Sequence, residues 1–141
     1  MPPSSVPPGE SVLLIRTDFS DEVTWQTIVT ATAQESNDGF LANVTIINDK
    51  AWTDATVQDI KSAHEGDLVR TIAFVVDSES MFDKKHHAIL CVRLDVQKSS
   101  TLRVIPSELW SVENNLSLGN LDWEDFVSAL DEFGVFKGFV N

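Results

Sequence analysis

Apolar residues along the chain fall into short blocks separated by polar turns, and the period of the blocks changes. Val12-Leu13-Leu14-Ile15 is a continuous apolar run, as in a strand covered on both faces. Ser20 offers an N-cap oxygen, and Asp21 and Glu22 fall where a first helical turn favours negative charge. Trp25, Ile28, Val29 and Thr32 then follow helical spacing, so an amphipathic helix is expected over 21–34. After the turn signal Asn37-Asp38-Gly39, the alternation of Phe40, Ala42, Val44 and Ile46 suggests a second strand ending near Asn48-Asp49. Asp54 is placed to cap a second helix carrying Val57, Ile60 and Ala63, with His64 in its last turn and Gly66 to stop it. Residues 71–76 are the clearest buried strand and end at Asp77.

The polar stretch 78–87 is barely long enough for a parallel crossover, so a short helix or a loop is expected there. A fourth strand over 88–94 ends at Asp95, and Gln97-Lys98-Ser99-Ser100 reads as a hairpin connection into 101–105. Pro106 suits the first turn of a helix through Leu109, Trp110 and Val112, which Asn114-Asn115 and Leu118-Gly119-Asn120 interrupt. Asp122 caps a last helix with Trp123, Phe126, Val127 and Leu130 inward, stopped by Gly134. The order strand, helix, strand, helix, strand, hairpin, helices argues an α/β fold. The expected architecture is a mainly parallel sheet of four or five strands, helices on both faces, and one antiparallel strand at the hairpin. Residues 1–10 hold four prolines and a glycine and read as a flexible tail, leaving 11–141 as a single α/β domain.

Composition sharpens the picture. In 141 residues, ten Lys and Arg face twenty-two Asp and Glu, a net charge of −12. A hydrophobic fraction of 43% is ordinary for a globular domain, and a chain of this length can bury a real core. So acidic a surface disfavours nucleic acid and anionic membranes, whose affinity comes from Lys and Arg on phosphates. Cys91 stands alone, so no intrachain disulfide forms. The first residues lack the basic and apolar regions of a signal peptide, and no apolar run approaches a membrane span. A cytoplasmic protein is expected.

Four strands end in aspartate: Asp18, Asp49, Asp77 and Asp95. In open α/β sheets the carboxyl edge of parallel strands holds the ligand crevice, so these residues gather into one candidate site if the fourth strand is parallel. Arg16-Thr17-Asp18 and Arg93-Leu94-Asp95 each place an arginine and a carboxylate on one strand face. Like-charge crowding would raise the pKa of one carboxylate and fit it for proton transfer. The competing reading is that aspartates after strands cap turns and helices, and that Arg-x-Asp is a satisfied ion pair. Trp52, in the loop between Asp49 and Asp54, is the tryptophan expected to face a ligand or partner. Asn114 and Asn115 either satisfy backbone groups or touch a ligand. His86-His87 point to opposite faces if the strand includes them, so no metal site is expected, and Cys91 reads as a buried, inert thiol. Neither a nucleophile elbow, a phosphate loop nor a dinucleotide fingerprint is present, and no cofactor is expected.

The segments Arg16-Thr17-Asp18-Phe19-Ser20-Asp21 with Trp25, the block from Arg103 to Phe126, and Gly134-Val135-Phe136-Lys137-Gly138-Phe139 resemble a small bacterial and fungal family catalogued as a domain of unknown function. The resemblance covers nearly the whole chain after the tail. The family pattern carries a basic residue, usually arginine, at the position of Lys137, and no arginine at that of Arg93. It implies no activity, cofactor or partner, and it directs attention to Arg16, Asp18, Arg103, Glu113, Asn114 and Asn115. Two functions fit. One is a binding or inhibitory module for a basic protein partner, whose encounter the net charge would speed. The alternative is a small cofactor-free enzyme, a lyase, isomerase or cyclase on an organic metabolite. In it Asp18 or Glu113 would move a proton, and Arg16 and Arg103 would clamp the substrate. A concave edge lined by Arg16, Asp18 and aromatics would favour the enzyme, and a flat or convex acidic face the binder.

Overall fold

The computed structural model of the chain describes residues 2–139. Its elements run β1 (Val12–Arg16), α1 (Glu22–Thr32), β2 (Val44–Ile47), α2 (Val57–Ala63), β3 (Ile72–Val76), α3 (Ser78–Phe82), β4 (Ile89–Arg93), β5 (Thr101–Val104), α4 (Leu109–Ser117), α5 (Trp123–Val127) and β6 (Val135–Phe136). Two 3-10 turns, Lys50–Trp52 and Pro106–Glu108, lead into α2 and α4. The strands form one six-stranded sheet in the order β2-β1-β3-β4-β5-β6. All neighbours are parallel except β4, which runs antiparallel to both β3 and β5. The α/β class and mainly parallel sheet therefore stand, with β6 added. Two residues between Gly134 and Lys137 are too few to show a period.

The period-two pattern of the strands sorts side chains between two cores. Val12, Leu14, Ile72, Phe74, Val76, Ile89, Cys91, Leu102 and Val104 face α1, α4 and α5, where they meet Trp25, Ile28, Leu109, Val112, Trp123 and Phe126. Leu13, Ile15, Ala73, Val75 and Val92 face the other way, onto Trp52 and the Ile60–Ala63 side of α2. Helices thus cover both faces. The direction of β4 differs from what the strand-end cluster required. The link from β3 holds only the five-residue α3 and a short loop, too little for a right-handed parallel crossover, so the chain folds straight back.

Local capping differs from expectation at three places. Asp21, not Ser20, caps α1, accepting from the Thr24 amide at 3.2 Å. Thr56 caps α2 in a reciprocal box with Asp59, while Asp54 adopts a φ of 60° and gives its amide to the Thr17 carbonyl at 2.9 Å. Asn114 and Asn115 do not interrupt α4 but lie inside it, and Asn115 Nδ2 returns to the Ser111 carbonyl at 2.8 Å. The proline-rich start is held to the domain. Arg70 donates to the carbonyls of Pro7 at 2.8 Å and Ser11 at 2.7 Å, and Val6 packs beside the α2 core. Among the described residues, no helix is long and apolar enough to cross a membrane.

Candidate functional site

Five strands deliver their carboxyl ends to one edge of the sheet. Between β1 and β3 the strand order reverses, the point at which open α/β sheets usually hold a ligand. Here that point is closed by hydrogen bonds. Asp18 accepts from the Ser78 hydroxyl at 2.8 Å, the Ser20 amide at 2.8 Å and the Ser20 hydroxyl at 2.6 Å. Partial burial works against ionisation of Asp18, but these donors and the Arg16 charge outweigh it and hold the carboxyl below its ordinary range. Asp77 caps α3 through the Ser80 amide at 3.0 Å and takes a two-pronged bond from Arg103, at 2.9 and 2.7 Å. Burial likewise opposes its charge, and Arg103 and Ser80 overcome it, so Asp77 also titrates low. The raised carboxylate pKa expected from crowding is therefore reversed at both residues, because each aspartate faces donors rather than another carboxylate. Neither is suited to give up a proton near neutral pH.

The arginines here are occupied as well. Arg16 donates from Nε to the Asp18 carbonyl at 3.0 Å and from Nη1 to Glu22 at 2.9 Å and Asn48 at 3.2 Å. Its guanidinium carbon lies 4.3 Å from the Phe19 ring centre and 4.8 Å from that of Trp25, and the residue is 2% exposed. It ties the end of β1 to α1, and its burial, together with the bonds of Nε and Nη1 to protein groups, leaves little of it to meet an anion. Arg16→Lys is expected to lower stability by about 1–2 kcal/mol in chemical denaturation, since an ammonium supplies neither the planar stack nor the fork. A change within 0.5 kcal/mol, on the order of an ordinary surface substitution, would deny it that role. Arg103 adds ion pairs and bonds to Glu79 and to the Ala88 carbonyl. Asp49 accepts from the Ala51 amide at 2.9 Å and so caps a 3-10 turn. Trp52, expected to face a ligand, is buried, because that turn lays its ring on the α2 core. Cys91 is buried in the sheet, and burial pushes its thiol up, away from nucleophilic use.

The opposite, amino-terminal edge is open. Because β4 is antiparallel, Arg93 and Asp95 lie here, paired at 2.7 Å, and Asp95 leaves the carboxyl-edge cluster. A cavity of about 400 Å³ is lined by Thr71, Ile72, Arg93, Asp95, Leu116 and the 119–124 turn. A second, of about 500 Å³, is lined among others by Glu10, Asn43, Arg70, Thr71, Glu113 and Ser117. Thr71 and Leu116 border both, so they form one groove between the starts of β1, β3 and the last turns of α4. Arg70 is committed to Asp67 at 3.2 Å and to the carbonyls of Pro7 and Ser11.

Glu113 is 4% exposed on α4, and Oε1 is fixed by the Asn43 amide at 2.6 Å and Asn114 Nδ2 at 2.9 Å. Asn114 also donates to the Leu41 carbonyl at 2.9 Å. Asp18 and Glu113 thus sit at opposite ends of β1, whose five residues at about 3.3 Å each hold them apart, so they share no site. Glu10 is a functional candidate that the strand-end rule passes over, since that rule searches carboxyl ends; the signal was a charged residue set just before the apolar run of β1. Among the described residues, no group of three or more His, Cys, Asp or Glu side chains is placed to hold a metal ion.

A family model described as a domain of unknown function (DUF6924) matches residues 11–139. No curated protein matches the chain.

Proposed function

The chain belongs to the DUF6924 family, and for this member we propose a binding domain that engages a basic protein partner through the groove on the amino-terminal edge of its sheet. One observation carries the reading: the groove is lined by Glu10, Asp95, Glu113, Asp122 and Glu124, while its two arginines are already paired. Asp95 is used by Arg93. The other four carboxylates enter no ion pair among the described residues. A net charge of −12 adds long-range attraction for a cationic surface. The cofactor-free enzyme is the weaker reading, because Asp18 is held ionised and Arg16 and Arg103 are occupied by protein groups. A cytoplasmic location accompanies the binding reading, as Cys91 has no intrachain partner to oxidise with.

The test is titration of the whole chain with a fluorescent lysine-rich decapeptide and with a neutral peptide of equal length. Saturable binding of the basic peptide alone is expected, weakened roughly tenfold between about 50 and 300 mM salt as screening shortens. Glu10→Lys combined with Glu124→Lys should weaken it to a similar degree. Absence of saturable binding, or equal binding of the neutral peptide, would overturn the reading.

A further inference from the structure

We infer that Glu113 is the acceptor for a lysine ammonium group entering the groove; this rests on the binding reading above and names the chemistry it recognises. The carboxylate is preset. Oε1 is saturated by the Asn43 amide and Asn114 Nδ2, which fix the side chain against α4. Among the described residues Oε2 accepts no hydrogen bond. It is also not one of the sealed, unpartnered atoms of the core, so it remains open to the cavity that Glu113 lines. A side chain that is 4% exposed and leaves one anionic oxygen unpaired on a cavity wall is costly unless water or a donor meets it.

The geometry of supply selects the ligand. With one oxygen already spent, Glu113 cannot offer the two parallel acceptors that a guanidinium fork uses best. An ammonium is a point charge with three donors, and one open carboxylate oxygen suits it. The hydroxyls of Thr71 and Ser117 border the same cavity and enter no side-chain hydrogen bond among the described residues, so acceptors for the other two donors are at hand. Arg70 is the opposing charge in this wall. Asp67 at 3.2 Å and the two tail carbonyls occupy it, which lowers the repulsion an entering cation meets. The aliphatic stem of lysine would lie along Leu116 and Val12, which also border the cavity.

The experiment compares decapeptides carrying lysine or arginine at the same positions, on wild-type chain and on Glu113→Gln. Glutamine keeps Oε1 for Asn43 and Asn114, so the variant should fold, and its thermal melt checks this. Wild type is expected to bind the lysine peptide several-fold more tightly than the arginine peptide. Glu113→Gln should weaken the lysine peptide about tenfold and erase the preference, as loss of a charge-assisted bond would. A second variant, Thr71→Val with Ser117→Ala, should reduce the lysine preference while leaving the arginine peptide unchanged. If Glu113→Gln binds both peptides as wild type does while Glu10→Lys/Glu124→Lys still weakens them, the Glu113 site is overturned and the groove stands. If neither peptide binds wild type, the groove reading falls with it.

Discussion

Trp52→Ala is expected to lower the unfolding free energy by about 4 kcal/mol, in the range found when a buried aromatic ring is cut back to a methyl group. The ring is 3% exposed and is the largest of the eight buried residues that form the core between the sheet and α2. Leu13, Ile15, Ile60, Ala63, Ala73, Val75 and Val92 make up the rest; all are smaller than an indole and are held in the sheet or α2, so they close the space it leaves only in part. Its position is fixed twice over: Asp49 caps the 3-10 turn through the Ala51 amide, and Thr53 Oγ1 donates to the Lys50 carbonyl at 2.6 Å. Against a total stability of about 5–15 kcal/mol for a domain, such a loss would leave the variant marginal at 37 °C. Denaturant unfolding followed by far-UV circular dichroism gives the number. A loss under about 1 kcal/mol would show that the ring is not part of the core. Because the groove lies at the other edge of the sheet, the folded fraction of the variant should bind the lysine peptide as wild type does.

The fate of Trp52 illustrates what the sequence makes legible. Periodicity identifies elements, because an apolar run of four or more residues has to be buried; β1, β3 and β4 follow directly from it. It does not say which loop residue folds back onto a core, and a tryptophan between two aspartates looks exposed until the turn that carries it is seen. The direction of β4 was contained in the ten residues between Asp77 and Ala88, but their length lies at the margin between a crossover and a return. That one ambiguity moved Asp95 to the far edge and dissolved the four-aspartate cluster. Glu113 is the reverse case. It stands out as a charge among the apolar positions of α4, but its partner, the Asn43 amide, is 70 residues away and belongs to no pattern. Whether a carboxylate is capped, paired or open is decided by such distant donors, which is why candidate residues were easier to name than to place in one site.

Arg103 grips Asp77 with two parallel hydrogen bonds, and Arg103→Met should cost about 2–3 kcal/mol. Removing one partner of a fully buried pair costs about 3–5 kcal/mol. Here the two side chains retain 17% and 25% exposure, so water softens the loss. Methionine keeps the stem but leaves Asp77 without its two-pronged donor and the Ala88 carbonyl without Nη1. Asp77→Asn is milder, since its oxygen can still take the Ser80 amide and hold the first turn of α3. In a double-mutant cycle the two changes should be less than additive by about 1–2 kcal/mol, which isolates the pair from the cap. Acid supplies an independent check. The folded pKa of Asp77 is depressed below the ordinary 3.8, so its stabilising effect is complete above that pH and is lost as pH falls through the folded value. The stability gap between wild type and Asp77→Asn should therefore be constant from pH 7 to about 5 and shrink below about 4. A gap that stayed constant down to pH 2, or additive effects in the cycle, would mean that Arg103 and Asp77 are neighbours without being coupled, and that α3 is held by its cap alone.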